Sequence, residues 1–196
     1  HNKGEASQEL LEAIDFAASV NAKNLYFVSG GRGSLSWESA ASKLSDLLSP
    51  CLSVAKTNDI NLLVETATGF NVDIHIAHTL DDTIELARLA NIGVCIELHA
   101  CWYEARLKEK LLKAAPITGL VQVSDYVLGD RSAPCRAVPG DGIIPLNRIL
   151  GDLLDTGYEG LFDIELVGPR IVQEGVHAAT QRACEAVSEI LEKLGV

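Results

Sequence analysis

Residues 60–98 read INLLVETATGFNVDIHIAHTLDDTIELARLANIGVCIEL, and this stretch decides the fold class. It begins with an apolar run, passes through a polar connection into a segment of helical periodicity from Thr79, and ends with a second apolar run, IGVCIEL. Two apolar runs separated by a helix are typical of a strand–helix–strand unit with parallel strands. Because both runs are apolar almost throughout, we expect the strands to be covered on both faces.

The same alternation continues on both sides of this unit. Helices are predicted over residues 5–20, 37–57 (distorted at Pro50), 104–114, 146–156 and 173–194, and further strands over residues 24–31, 119–125 and 161–166. One helix followed by five strand–helix units leaves two candidate folds, an open doubly wound sheet and a (β/α)8 barrel. No composition break divides the chain, so one domain over residues 1–196 is predicted.

The composition excludes several classes of function. The 196 residues include 16 Lys and Arg against 27 Asp and Glu, a net charge of −11, and 47% of them are hydrophobic. This balance predicts a folded chain, and its acidity argues against tight binding to nucleic acid. No apolar run reaches the roughly 18–20 residues that a membrane span needs. The 5 cysteines form no CxxC pair, which favours thiols in a reducing, cytoplasmic compartment.

Polar side chains recur at the ends of the predicted strands. The second strand ends near Glu65, the third at Glu97 with His99 close behind, the fourth contains Gln122, and the fifth ends near Glu165. In both candidate folds the active site lies at the carboxyl ends of the strands. Carboxylates gathered there need a cation, and hard oxygen ligands suit Mg²⁺ or Mn²⁺. A single polar residue at a strand end is commonly an ordinary rim residue. The prediction of a cation site therefore rests on the recurrence of such residues on successive strands.

A long loop, SDYVLGDRSAPCRAVPGDGIIP, follows the fourth strand at residues 124–145. Its glycines and prolines predict a shaped lid over the strand ends. The cations of this loop are Arg131 and Arg136, and an arginine there could clamp an anionic or hydroxyl-rich substrate. Alternatively, either arginine pairs with Asp130 or Asp141 and only holds the loop.

Two other motifs are weak. The run SGGRGS at residues 29–34 matches neither of the glycine-rich phosphate-binding patterns. His75 and His78 have HxxH spacing rather than the HExxH of zinc enzymes, and His78 is better placed to help begin the next helix.

Several runs together resemble the xylose isomerase-like TIM barrels. They are LLVE, IEL with its following histidine, VQVSD, the PGDG loop and GYEGLFDIELVGP, and the most specific part spans residues 121–169. That superfamily includes sugar-phosphate isomerases and epimerases, hydroxypyruvate isomerases, inosose dehydratases and the endonuclease IV group. The resemblance implies a TIM (β/α)8-type barrel that lacks its first three βα units, because NLYFVSG matches the fourth strand of the family barrel.

The resemblance also implies a metal site. Carried over by position, the four ligands of a divalent ion are Glu65, Glu97, Gln122 and Glu165. Mn or Mg is the expected ion, with Co or Zn as alternatives. Glu97 stands where the family usually has Asp, and Gln122 stands where His is common. Since hydroxypyruvate isomerase-like members also use Gln there, the pattern favours the branch that acts on small keto-sugars.

The chemistry that the resemblance implies is isomerisation or epimerisation of a keto-sugar or hydroxy-keto acid. A proton would be transferred through a metal-bound enediolate, with Glu65 and Glu165 as the catalytic carboxylates. Arg136 lies four residues before the glycine of the PG turn, as the substrate-binding arginine of the epimerases does.

Two further substrate contacts are weaker predictions. Arg131 shares the loop of Arg136 and is a second candidate there. The family's substrate histidine would fall at Ala100, and His99 stands one place earlier.

Alternative functions and the partners remain open at this stage. An inosose dehydratase-like lyase would use the same enolate chemistry, and a non-catalytic barrel homologue would have lost it. A nuclease of the endonuclease IV type would need a histidine-rich zinc cluster, whereas the chain has 5 histidines and a net charge of −11. With no methionine and five strands, we expect a C-terminal piece of a longer barrel or a homo-oligomer that covers the strand edge at residues 25–28.

Overall fold

The computed structural model describes residues 3–196. The helices are α1 (Lys3–Ser19), α2 (Trp37–Thr57), α3 (Leu80–Ala90), α4 (Leu98–Cys101), α5 (Leu107–Ala114), α6 (Leu146–Leu154), α7 (Pro169–Glu174) and α8 (Val176–Leu194). The strands are β1 (Asn24–Phe27), β2 (Asn61–Glu65), β3 (Gly93–Glu97), β4 (Thr118–Val123) and β5 (Leu161–Ile164). Short 3₁₀ turns cover Gly69–Asn71 and Ala115–Ile117.

The strand order decides between the two candidate folds. The five parallel strands form one sheet in the order β1-β2-β3-β4-β5, so each lies beside its neighbour in sequence. In the register of β1 with β2, Leu25 lies opposite Leu62, and Val64 of β2 lies opposite Val94 of β3. A doubly wound sheet reverses its strand order at a switch point, and this sheet has none in the described residues. The predicted fold, a TIM-barrel type with five parallel strands, is therefore confirmed.

Local sequence signals explain where the helices begin and end. Thr79 caps α3, because its Oγ1 accepts the Asp82 N–H at 3.1 Å, and the helix begins where the periodicity predicts. The helix predicted over residues 37–57 is confirmed as α2, which continues through Pro50 to Thr57. The single helix predicted over residues 173–194 is also wrong. The chain forms α7 and α8, which are separated at Gly175 with a φ of 97°.

The chain forms two compact units, and β3 and β4 contribute to both. One unit comprises residues up to Cys95 together with Ile117–Leu120, and the other comprises Ile96–Pro116 with Val121–Val196. The single domain over residues 1–196 stays a prediction. Among the described residues, no helix combines the length and apolar character needed to cross a membrane.

In the first unit, apolar residues pack on both faces of the strands. The cluster on the helical side contains Ile14, Ala17, Cys51, Ala55, Ile60 and Leu62. Leu63, the next residue along β2, packs instead with Cys95 and Leu120. A Cβ at its neighbours Gly93 and Gly119 would lie 2.6 and 2.8 Å from Leu63 Cδ2, so the Leu63 side chain would have to shift to admit one. The burial of both faces agrees with the apolar character of the strands.

In the second unit, a smaller apolar cluster joins the loop after β4 to the last two helices. It contains Val138, Ile171, Ala179 and Ala183, with Ile164 and Leu166 packed against it. The cluster therefore anchors the middle of the loop, two residues after Arg136, to helices α7 and α8. This anchoring fixes the backbone from which the Arg136 side chain extends.

Candidate functional site

Four polar side chains lie at or next to the carboxyl ends of strands, as the sequence predicts. Glu65 and Glu97 are the last residues of β2 and β3, Gln122 is the penultimate residue of β4, and Glu165 follows β5 directly. Glu97 and Gln122 are buried, whereas Glu65 and Glu165 are half-buried. Glu65 belongs to the first unit and the other three to the second.

In the second unit, Arg136 joins two of these carboxylates. Its Nη2 lies 3.2 Å from Glu97 Oε2 and 3.0 Å from Glu165 Oε2. Its Nε donates a second hydrogen bond, of 3.1 Å, to the same Glu165 oxygen. The side chain of Glu97 is 1% exposed and that of Arg136 is 11% exposed. Since removing one partner of a buried ion pair typically costs about 3–5 kcal/mol, the guanidinium is an important counter-charge here.

The backbone around Arg136 explains how the side chain reaches both carboxylates. Asp125 and Ala137 exchange two antiparallel hydrogen bonds, of 2.9 and 2.8 Å. On the other side, Arg136 N–H donates to the carbonyl of Val167 at 3.0 Å. The segment therefore pairs with the chain that follows β4 and with the chain that follows β5. Arg136 is held between the two strand ends by main-chain bonds.

The buried Asp125 carboxylate organises the rest of this loop. Oδ1 accepts N–H groups from Tyr126 and Ile144, at 2.8 and 3.0 Å. Oδ2 accepts those of Gly140 and Gly142, at 2.9 and 3.0 Å. At Gly142 a Cβ would lie 2.3 Å from Asp125 Oδ1, so only glycine fits. Asp125 therefore has a structural role in folding the PGDG turn back onto the end of β4.

His99 lies beside the ion pair in the second unit. The Glu97 side chain caps α4 by accepting the His99 N–H on Oε1 at 2.9 Å. The His99 ring contacts Cys135, with 3.7 Å between Nε2 and Sγ, and packs edge-on against Tyr126. Burial, followed by the charge of Arg136, lowers the pKa of His99 to about 4. The ring is therefore neutral at pH 7, and its buried Nδ1 has no hydrogen-bond partner among the described residues.

Arg131 is exposed and makes contacts of a different kind. It donates to the Tyr126 hydroxyl at 2.9 Å and to the Asp130 carbonyl at 3.0 Å. The Asp130 carboxylate pairs instead with Arg170. These contacts hold the loop through the main chain of Asp130 and the Tyr126 hydroxyl, whereas the alternative that the sequence left open was pairing with Asp130 or Asp141. A substrate contact by Arg131 stays a prediction.

A histidine in the first unit fixes the backbone at Glu65. His75 Nε2 donates to the Glu65 carbonyl at 2.7 Å, and Nδ1 accepts the Ser29 N–H at 2.9 Å. Burial lowers the pKa of His75 to about 4, so the ring is neutral at pH 7. His78 Nδ1 is 3.0 Å from the Thr68 carbonyl. Sequence reasoning missed the Ser29–His75 contact, because it joins residues 46 positions apart.

The donor set fits a divalent ion in its chemistry and partly in its arrangement. Carboxylate and amide oxygens suit Mg²⁺ and Mn²⁺, and Glu97 and Glu165 already converge on one positive charge, that of Arg136. In the part of the chain that the structure describes, no three His, Cys, Asp or Glu side chains are grouped so that they could hold an ion. The four-ligand assignment of Glu65, Glu97, Gln122 and Glu165 therefore stays a prediction.

Comparisons with known proteins agree with the fold. Residues 2–190 match the family model described as xylose isomerase-like TIM barrel. A fructoselysine 3-epimerase of Shigella flexneri is 23% identical over 172 residues, which are 85% of this chain and 60% of that protein. An inosose isomerase of Halalkalibacterium halodurans is 27% identical over 116 residues, which are 57% of this chain and 41% of that protein. The chain thus spans less than two thirds of the length of either relative.

A solved structure shows the same fold. The IolI protein with a bound zinc atom superposes with a TM-score of 0.82 at 17% identity, over 99% of this chain and 72% of that one. This likeness shows the fold, and the match to the family model over residues 2–190 shows the family. The chain belongs to the xylose isomerase-like TIM barrels.

Proposed function

We propose that this protein is a divalent-metal-dependent isomerase or epimerase of a small keto-sugar or hydroxy-keto acid. The observation that carries the proposal is the convergence of Glu97 and Glu165 on the guanidinium of Arg136 at the strand ends. The two curated relatives, an epimerase and an isomerase, support the same class of reaction. A cytoplasmic location belongs to this proposal, because the substrate class is metabolic and the cysteines are free thiols.

In this proposal, Glu165 and Glu65 remove a C–H proton from the substrate and return it. Isomerisation requires removal of a weakly acidic C–H proton next to a carbonyl and its return at the neighbouring carbon or on the opposite face. Glu165 is half-buried, and both of its contacts with Arg136 use Oε2, so Oε1 is available to face a substrate. Glu65 is also half-buried, and its main chain is held by His75.

The predicted metal ligands are Glu65, Glu97, Gln122 and Glu165, with Mn or Mg preferred and Co or Zn as alternatives. A divalent ion bound by these residues would supply electrostatic stabilisation of the developing enediolate charge. Arg136 adds a positive charge beside Glu97 and Glu165. The neutral His99 ring can exchange hydrogen bonds with a sugar hydroxyl, and Arg131 is an outer contact in the loop.

Metal removal tests the proposal. Protein stripped with a chelator is expected to show no turnover on a panel of keto-sugars and hydroxy-keto acids, and Mn²⁺ or Mg²⁺ should restore it to one or a few of them. Loss of the metal should reduce kcat by at least about 1,000-fold, because the charge stabilisation is lost. Sugar conversion is measured by NMR. Full turnover in metal-free protein, or no conversion of any panel member by the metal-replete protein, would contradict the proposal.

A lyase that acts on a keto-inositol is the second candidate, because one relative is named an inosose isomerase and this supports that class of substrate. A keto-inositol can lose water through the same enolate: a proton is removed from the carbon beside the carbonyl, and the hydroxyl group on the next carbon takes up a proton and leaves as water while a C=C bond forms. A keto-inositol therefore belongs in the substrate panel. A product lighter than the substrate by one water would identify the lyase, and a rearranged product of unchanged mass would identify the isomerase.

A further inference from the structure

Two weak motifs of the sequence, SGGRGS and HxxH, lie against each other in the first unit. The Ser29 N–H donates to His75 Nδ1 at 2.9 Å, and Ser29 Oγ accepts the Ile76 N–H at 3.1 Å. A Cβ at Gly31 would collide with the carbonyl oxygen of Asp73, so only glycine allows the two backbones to approach this closely. The loops after β1 and β2 are therefore joined through the segment that contains His75.

The segment from His75 to His78 also lies beside the chain that leaves β2. His75 Nε2 donates to the Glu65 carbonyl at 2.7 Å, and His78 Nδ1 donates to the Thr68 carbonyl at 3.0 Å. The two histidines have the same spacing along the chain as the two carbonyls that they bind. The HxxH spacing is therefore explained by hydrogen bonds to the main chain.

We propose that His75 is a positioning residue that fixes the direction of the Glu65 side chain for proton transfer. The inference rests on the proposed function, in which Glu65 is one of the two catalytic carboxylates. His75 acts through the main chain of Glu65, and Ser29 holds the His75 ring in turn. Because both ring nitrogens are already engaged, the strand end is held before a substrate arrives.

The bond from His75 sets the orientation of one peptide unit. The Glu65 carbonyl and the Thr66 N–H belong to the same planar unit, and the Thr66 N–H donates to the Cys95 carbonyl of β3 at 3.0 Å. With both polar groups bound, this unit is held against rotation. The Cα atom of Glu65 is attached to the unit, so the direction in which its side chain leaves the strand end is held as well. Catalytic groups need such placement, since a displacement of about 1 Å can cost about 100-fold in rate.

The protonation state of His75 suits this task. The residue is 1% exposed, and burial lowers its pKa to about 4, so the ring is neutral at pH 7. Nδ1 accepts from Ser29 and therefore carries no proton. The single ring proton is then on Nε2, from which it is donated to Glu65.

Two substitutions at His75 separate its two bonds. The amide nitrogen of His75→Gln lies near the place of Nε2 and can still donate to the Glu65 carbonyl, whereas the amide of His75→Asn ends near the place of Nδ1 and reaches only Ser29. With saturating Mn²⁺ and the keto-sugar that the panel identifies, His75→Asn is expected to lower kcat by about 100-fold and to change KM by less than about 3-fold. His75→Gln should keep kcat within about 5-fold of wild type.

His78→Ala is the matched control, because it removes a bond of the same kind from the carbonyl of Thr68. This variant is expected to melt at a lower temperature than wild type but to keep kcat within about 3-fold, since the peptide unit after Glu65 stays bound. An equal loss of kcat in His78→Ala and His75→Asn would overturn the inference, because the loss would then come from general loosening of the loop.

Hydrogen exchange supplies a readout that does not depend on turnover. In metal-free protein the Thr66 amide is expected to exchange at least about 10-fold faster in His75→Asn than in wild type, and to stay protected in His75→Gln. If His75→Asn does not fold, Ser29→Ala takes its place. It removes the acceptor of the Ile76 N–H and the hydroxyl that contacts the ring, so it should cause the same changes at smaller size. Unchanged exchange at Thr66 in the folded variant would overturn the inference.

The outcomes separate the inference from the proposed function. Turnover by wild type, with loss of kcat and faster Thr66 exchange in His75→Asn but not in His75→Gln, supports the inference. Turnover by wild type with equal kcat in the two His75 variants overturns the inference and leaves the proposed function in place. Absence of turnover by wild type on every panel member overturns the proposed function and the inference together.

Discussion

A Glu165→Gln variant is expected to lose turnover by about 1,000-fold while remaining folded and metal-replete. Glutamine has nearly the same shape, and its amide oxygen can still accept from Arg136 as Glu165 does now. It cannot take up a proton from carbon, which is the role proposed for Glu165. The measurement is kcat on the keto-sugar that the panel identifies.

Two controls accompany this variant. Melting temperature and metal content are measured beside kcat at saturating Mn²⁺, because the change removes a charge from the ion pair with Arg136 and from a predicted metal ligand. Glu159→Gln removes an exposed carboxylate shortly before β5 and should retain wild-type turnover. A folded, metal-replete Glu165→Gln protein with wild-type kcat would refute the catalytic role of Glu165.

An Asp125→Asn variant is expected to lose about 3 kcal/mol of the free energy of unfolding. The Asp125 oxygens accept four main-chain N–H groups, and the residue is buried. An asparagine would replace one acceptor oxygen with an NH₂ group that faces two of those donors. The buried donors would then lose their partner, and the PGDG turn would separate from the end of β4.

Urea unfolding measures this loss, with Asp141→Asn as the matched control. Asp141 lies in the same loop, but its carboxylate is 43% exposed and pairs with Arg182. Such a surface pair is worth at most about 1 kcal/mol. A destabilisation of Asp125→Asn no larger than that of Asp141→Asn would contradict the structural role of Asp125. Because Arg136 lies in the loop that Asp125 holds, a damaged loop should also weaken substrate binding.

The fold could be predicted from the sequence because its signals are local. Apolar runs alternate with helical segments along the chain. Thr79 marks the start of α3 and the apolar run IGVCIEL marks β3, and neither signal depends on distant residues. The break between α7 and α8 was missed, because Gly175 interrupts a segment whose helical periodicity continues on both sides. The short helix α4 was missed as well, since it depends on the Glu97 side chain as its cap.

The candidate site was predictable only in part. The positions of Glu97 and Glu165 at strand ends follow from the strand pattern, and Arg136 was singled out as one of two cations near them. Which acidic strand-end residue is structural could not be read from the sequence. Asp125 looks like the others until the chain folds back and presents N–H groups from residues 15–19 positions away.

The deuterium content of the sugar recovered from D₂O tests the central claim most directly. Wild-type protein with Mn²⁺ and its keto-sugar is predicted to introduce deuterium at a carbon beside the carbonyl, because the proton that Glu65 or Glu165 removes exchanges with solvent before it returns. The Glu165→Gln protein is predicted to introduce none. Conversion of the sugar without any deuterium in the product would contradict proton transfer by these carboxylates.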